Sequence, residues 1–218
     1  MRKTLSLLSS LFLLALPACG DSGGDTEDTD ATTNPATTTM TNPTSGATDD
    51  TPTGGEALSC SDYCTAVSTN CTAGNAQYFA GTDNGMTPCM NACASFELGV
   101  AGEMANNTLG CRTYHAGAAM GDPATHCEHA GPGGAGVCGN DCDGFCTIAL
   151  ATCASQFADM GACMTACASF TDDTPYNATV MSGNNLACRL YHLTAAANSA
   201  ADATTHCPHI AADSPPCM

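Results

Sequence analysis

Three histidines, one arginine, one tyrosine and one aspartate recur together in two segments of the chain. The first segment runs from Cys111 to Gly131, CRTYHAGAAMGDPATHCEHAG, and the second from Cys188 to Ala211, CRLYHLTAAANSAADATTHCPHIA. The matched residues are Arg112, Tyr114, His115, Asp122, His126 and His129, then Arg189, Tyr191, His192, Asp202, His206 and His209. All six histidines of the chain lie in these segments. Imidazole nitrogens suit zinc and copper, and three of them with a fourth position free make a chemically sensible ligand set. His126 and His129 are close enough in sequence to share an ion that His115 approaches from the preceding helix, and His192, His206 and His209 repeat the arrangement. A second reading makes the same set a polar lock. Arg112 and Arg189 then pair with Asp122 and Asp202 or with helix C-terminal carbonyls, Tyr114 and Tyr191 lie alongside, and the histidines bond to backbone. The matched Met90 and Met164 would suit Cu(I), but a Met on an apolar helix face is more often core.

Other chemistries find less support. Covalent haem needs C-x-x-C-H, and every close cysteine pair here is spaced by three residues. Non-covalent haem held by axial histidine would need a larger apolar pocket than this composition offers. No G-x-S-x-G, H-E-x-x-H or Gly-rich phosphate loop is present. The expectation is therefore a non-catalytic binding or scaffolding protein, not an enzyme. The alternative is a metal-binding protein, copper or zinc before haem, using the repeated histidines.

The elements that must position these residues are marked by cysteine. Of the 17 cysteines, Cys19 stands apart and the rest divide into two sets of eight, from Cys60 to Cys138 and from Cys142 to Cys217. Both sets open with C-x3-C-x6-C and continue with a C-x3-C pair inside CMNACASF and CMTACASF. This is an internal duplication, with modules over residues 60–138 and 142–217. An even count in a secreted chain with few large apolar side chains is the signature of a disulfide scaffold. The fold expected is all-α, a tandem of small stapled helical modules.

Positions four and eleven apart return to one helix face, so Cys60, Cys64, Val67 and Cys71 form a stripe on a first helix. Thr87-Pro88 reads as a cap and first-turn proline for a second, carrying Cys89, Cys93 and Phe96. A third opens at Asn107 or Thr108, and at Asn184 or Asn185. Asp122-Pro123 starts a fourth, and HC-x-H sits where a helical turn ends, since Pro208 stands in the slot of Glu128. Two antiparallel helices bring Cys142 near Cys167 and Cys146 near Cys163, and likewise Cys60 near Cys93 and Cys64 near Cys89. That hairpin resembles the twin C-x3-C helical hairpin of small mitochondrial intermembrane-space chaperones, a likeness of spacing that carries geometry and not function. For the remaining cysteines the expectation is Cys71–Cys111, Cys127–Cys138, Cys153–Cys188 and Cys207–Cys217.

The N-terminus reads as an address. Arg2 and Lys3 precede an apolar run from Leu5 to Leu16, too short to span a bilayer comfortably. The run ends in Leu16-Pro17-Ala18-Cys19, which resembles a bacterial lipobox. The resemblance implies a signal peptide over residues 1–18, lipid on Cys19, and membrane partnership through that anchor. Gly20, in place of the Asp that holds lipoproteins at the inner membrane, favours the outer membrane or cell surface. Residues 19–59 add a Thr-, Asp- and Pro-rich tether with too little apolar surface to fold. Arg112 and Arg189 are the only basic residues left beyond the signal peptide, against 21 acids. Nucleic acid is excluded as a partner by that balance. An envelope or extracellular protein is the expected one.

Overall fold

In the computed structural model, residues 57–218 are described; the segments expected as signal peptide, lipidated Cys19 and tether lie outside them as far as residue 56. The regular elements of the described residues are all helical, with one isolated bridge between Glu97 and Thr108 and no strand. The first repeat holds α1 (Cys60–Asn70), α2 (Met86–Cys93), α3 (Leu109–Ala118) and α4 (Pro123–Ala130). The second holds α5 (Asp141–Thr152), α6 (Met160–Cys167), α7 (Leu186–Ala196) and α8 (Ala200–His206), the last running into a 3-10 turn at Cys207–Ile210.

Short polar side chains set most helix starts. Ser59, Thr108, Asp122, Asn140, Asp159, Asn185 and Ser199 each accept a bond from the backbone N–H three residues on. The second helix departs from expectation. It begins at Met86, not at Pro88, behind Gly85 at φ 83°, while the Asp83 carboxylate takes the Thr87 N–H at 2.9 Å. Glycine adopts that left-handed conformation without Cβ strain.

Each hairpin is stapled twice, α1 to α2 by Cys60–Cys93 and Cys64–Cys89, and α5 to α6 by Cys142–Cys167 and Cys146–Cys163. The other four bridges differ from the expected pairing. In place of Cys71–Cys111 and Cys127–Cys138, the bonds are Cys71–Cys127 and Cys111–Cys138. In place of Cys153–Cys188 and Cys207–Cys217, they are Cys153–Cys207 and Cys188–Cys217. Cys71 and Cys153 follow the last turn of their helices, beside the HC-x-H segment. Cys111 and Cys188 lie in the first turn of α3 and α7, where the end of the repeat returns. Closing a longer loop costs only about 0.6 kcal/mol per doubling, so nearness in sequence decides little.

The repeats are packed on each other. Tyr176 donates to the Gln77 carbonyl at 3.0 Å, Asn91 donates to the Ala197 carbonyl at 2.7 Å, and the Phe79 N–H donates to Thr194 Oγ1 at 3.3 Å. The shared core centres on α7, in which every residue from Leu186 to Ala196 is buried. Its counterpart α3 keeps Tyr114 and Gly117 exposed.

Candidate metal centres

The duplicated histidines meet in space, in two separate triads. His115 projects from α3 toward His126 and His129 on α4, and His192 from α7 toward His206 and His209 around the end of α8. In each triad, one ring nitrogen from each histidine lies within 4.8 Å of the other two. Nδ1 of His115 and Nδ1 of His126 are 2.9 Å apart. In the second triad His192 Nδ1 lies 2.9 Å from His206 Nδ1 and 3.3 Å from His209 Nδ1. A tetrahedral ion with metal–nitrogen bonds of roughly 2.0–2.1 Å spaces its ligand nitrogens roughly 3.4 Å apart.

Hydrogen bonding fixes the central rings. His115 Nε2 lies 3.2 Å from the Met104 carbonyl oxygen, and His192 Nε2 lies 3.3 Å from that of Met181. A carbonyl only accepts, so Nε2 carries the proton in each, and the neutral ring turns a bare Nδ1 lone pair toward the triad. That lone pair takes one N–H, yet His192 Nδ1 faces two ring nitrogens. The buried Nδ1 of His129 has no hydrogen-bond partner at all. A cation at the point of convergence satisfies all three nitrogens of a triad together.

Burial disfavours the charged form of four of the rings, His115, His129, His192 and His206. Burial pushes His115 below the ordinary imidazole value, the Met104 carbonyl opposing. Burial and then the neighbouring rings lower His129, and burial and then His209 lower His206. For His192, burial followed by His209 and His206 brings the value to about 4. Neutral imidazole is the form that binds metal.

The other repeated residues do not join the triads as ligands. Arg112 is fully buried, with its guanidinium 3.9 Å over the Phe96 ring, and donates to the carbonyls of Gly131, Thr108 and Pro132 at 3.2–3.4 Å. Arg189 repeats this over Phe170, with the carbonyls of Asn185 and Ala212. Each arginine thus ties the start of one helix to the chain that follows the next, on either side of a triad. Pairing with Asp122 or Asp202 is not what forms. Asp122 is spent as the N-cap of α4, whereas Asp202 lies inside α8 and bonds Ser199 and Asn198. The two aspartates align in sequence but not in role, because α8 starts three residues earlier relative to its histidine. Tyr114 and Tyr191 pack edge-on against the central histidines, with ring centroids 5.1 Å apart in both.

Two contributors escaped the sequence reading, Met104 and Met181, which act through their carbonyls. Both sit eleven residues before the central histidine, and that matched spacing was the available signal. Cys111 and Cys138 also lie near His115, and Cys188 and Cys217 near His192, but all four are held in disulfides.

Fold and sites together define a disulfide-stapled, all-α protein with a histidine triad in each of two repeats. The chain belongs to the BfoA family: residues 26–141 match the BfoA family C-terminal domain. It is similar to the Aurasperone B biosynthesis cluster protein A of Aspergillus niger, 39% identical over 79 residues, which are 36% of this chain and 24% of the relative. It is similar also to the Bifonsecin B biosynthesis cluster protein A of Aspergillus brasiliensis, 38% identical over 79 residues, 36% of this chain and 25% of the relative. The chain therefore spans about a quarter of the length of the curated relatives it matches. No solved structure matches.

These findings correct the reading of Leu16-Pro17-Ala18-Cys19 as a bacterial lipobox. The family and the Aspergillus relatives point to a fungal protein, not to a lipoprotein of a bacterial envelope, outer membrane or cell surface. The four residues that carried the resemblance are small and apolar, a composition that many secretory leaders share. Among the described residues, no helix is long and apolar enough to cross a membrane.

Proposed function

We propose that each repeat is a metal-binding module that holds one copper or zinc ion on the Nδ1 atoms of its histidine triad. The observation that carries this is the convergence of three imidazole nitrogens in both repeats, with the central ring oriented by a backbone carbonyl. The donor set is nitrogen only and neutral, which suits copper and zinc over harder ions such as magnesium or calcium. It suits an ion better than haem, whose iron already has four equatorial nitrogens and takes histidine along its axis.

The arginines fit the polar-lock reading, and the two readings divide the repeated residues between them. Arg112 and Arg189 hold the frame, and the histidines hold the ion. Eight disulfides indicate maturation in an oxidising compartment. We read the role of the module as binding and scaffolding. In support, the sixteen cysteines from Cys60 to Cys217 are all bridged and offer no thiol nucleophile. The names of the relatives tie those proteins to biosynthesis clusters, and on this reading the chain supplies a metal-carrying domain to a process of that kind.

Protein made under oxidising conditions and purified without chelator tests the proposal by elemental mass spectrometry. His115→Ala and His192→Ala should each remove one equivalent. Retention of the full metal content by the double variant would exclude the triads.

A further inference from the structure

Resting on that metal-binding reading, we infer that the two centres differ in access. The ion of the first repeat keeps a fourth coordination position open to a small anion or water. The ion of the second is screened by Phe79, a side chain that the first repeat contributes. Phe79 lies in the connection between α1 and α2, residues 71–85, and reaches across to the second triad. Its ring centroid is 6.3 Å from that of His206 and 6.0 Å, edge-on, from that of Tyr191. The connection is pinned there by the Phe79 N–H on Thr194 Oγ1 and by Tyr176 on the Gln77 carbonyl.

Among the described residues, no aromatic side chain of the second repeat packs on the first triad. The matching connection, residues 153–159, is shorter, and its Phe157 turns inward to pack edge-on against Phe145 with centroids 6.0 Å apart. The central histidines are equally buried, 6% exposed each, and the difference lies in the tyrosines packed edge-on against them. Tyr114 is 40% exposed and Tyr191 only 9%. The helices register it too, since α7 is buried along its whole length and α3 is not. A three-histidine ion with an accessible fourth position is the arrangement that exchanges water for an external ligand. The same ion under an aromatic lid is restricted to its protein ligands.

The probe is azide, added to the full chain loaded with Cu(II) and followed by its charge-transfer absorption and by electron paramagnetic resonance. Wild-type protein should take up one azide for two coppers. His115→Ala should keep one copper and lose the azide response, and His192→Ala should keep one copper and retain it. Phe79→Ala should bind a second azide, at the His192 centre. Copper bound with equal azide uptake at both centres, with none at either, or with the response kept by His115→Ala would overturn the inference while leaving the metal sites standing. Failure to load copper would sink the metal-binding reading and this inference with it. Should Phe79→Ala not fold, extraction of copper from wild-type protein by a chelator decides. Two phases differing on the order of tenfold in rate, the slow one absent in His192→Ala, are expected, and a single phase overturns the inference.

Discussion

Nδ1 of His192 faces Nδ1 of His206 at 2.9 Å, and the same 2.9 Å separates His115 from His126 in the other repeat. The contact is conserved between two copies whose surroundings have diverged. Each central ring has its Nε2 proton committed to a carbonyl, so its lone pair points at the meeting place of the triad.

A bound ion should stabilise the fold by mass action. At a free metal concentration a hundredfold above the dissociation constant, one site adds about 2.7 kcal/mol. Thermal unfolding with zinc or copper, then with excess chelator, should show a reversible rise in Tm that His115→Ala and His192→Ala each diminish. An identical Tm with metal and with chelator would count against binding to the native state.

Arg112 should behave as a frame residue. Arg112→Ala removes a buried side chain and orphans the carbonyls of Gly131, Thr108 and Pro132, a loss of about 3 kcal/mol. Arg112→Lys should not restore it, because one ammonium cannot reproduce the planar guanidinium over Phe96. Chemical denaturation checks the magnitude. Metal content of the folded fraction should stay intact at the His192 centre, and loss there would show that the arginine acts more widely than its contacts.

Disulfide mapping separates the two connectivities directly. Non-reducing peptide digestion should recover Cys71 with Cys127, Cys111 with Cys138, Cys153 with Cys207 and Cys188 with Cys217. Recovery of Cys127 with Cys138 would break the packing of α4 that brings His126 and His129 to His115.

Asp141 offers a pH test away from the triads. Burial is the main cause that raises its carboxyl above the ordinary value, with Asp172 and Glu128 adding to it, while the Ala135 N–H and Arg112 oppose. The folded state therefore holds this proton more tightly than the unfolded chain. Its contribution to stability is full below the unfolded value near 3.8 and is lost as pH rises through the folded one. Asp141→Asn keeps an oxygen for Ala135 and has no charge to bury. Its Tm relative to wild type should improve from pH 3.5 toward pH 6, and a difference that shrinks over that range would reverse the assignment.

What the sequence made legible was local. Cysteines four apart marked the stapled hairpins, Asp122 marked a helix start, Asn107 or Thr108 and Asn184 or Asn185 marked two more to within one residue, and the histidines stood out because both copies kept them. The partners of Cys71 and Cys111 were not legible, since loop entropy ranks close and distant partners almost alike and packing makes the choice. The aspartates misled because α8 begins earlier than α4 relative to its histidines, which turns a cap into a helical residue. Met104 and Met181 contribute a backbone oxygen, which any residue type supplies. Phe79 falls in a connection longer than its counterpart at residues 153–159, so comparing the copies could not mark it.

Metal content with a parallel thiol count, on wild-type protein and on His115→Ala/His192→Ala, tests the central claim most directly. The account predicts about two equivalents of copper or zinc per chain and no free thiol among the module cysteines, with the metal lost in the double variant. Wild-type protein that is fully oxidised, folded and unable to take up either ion when supplied would contradict it.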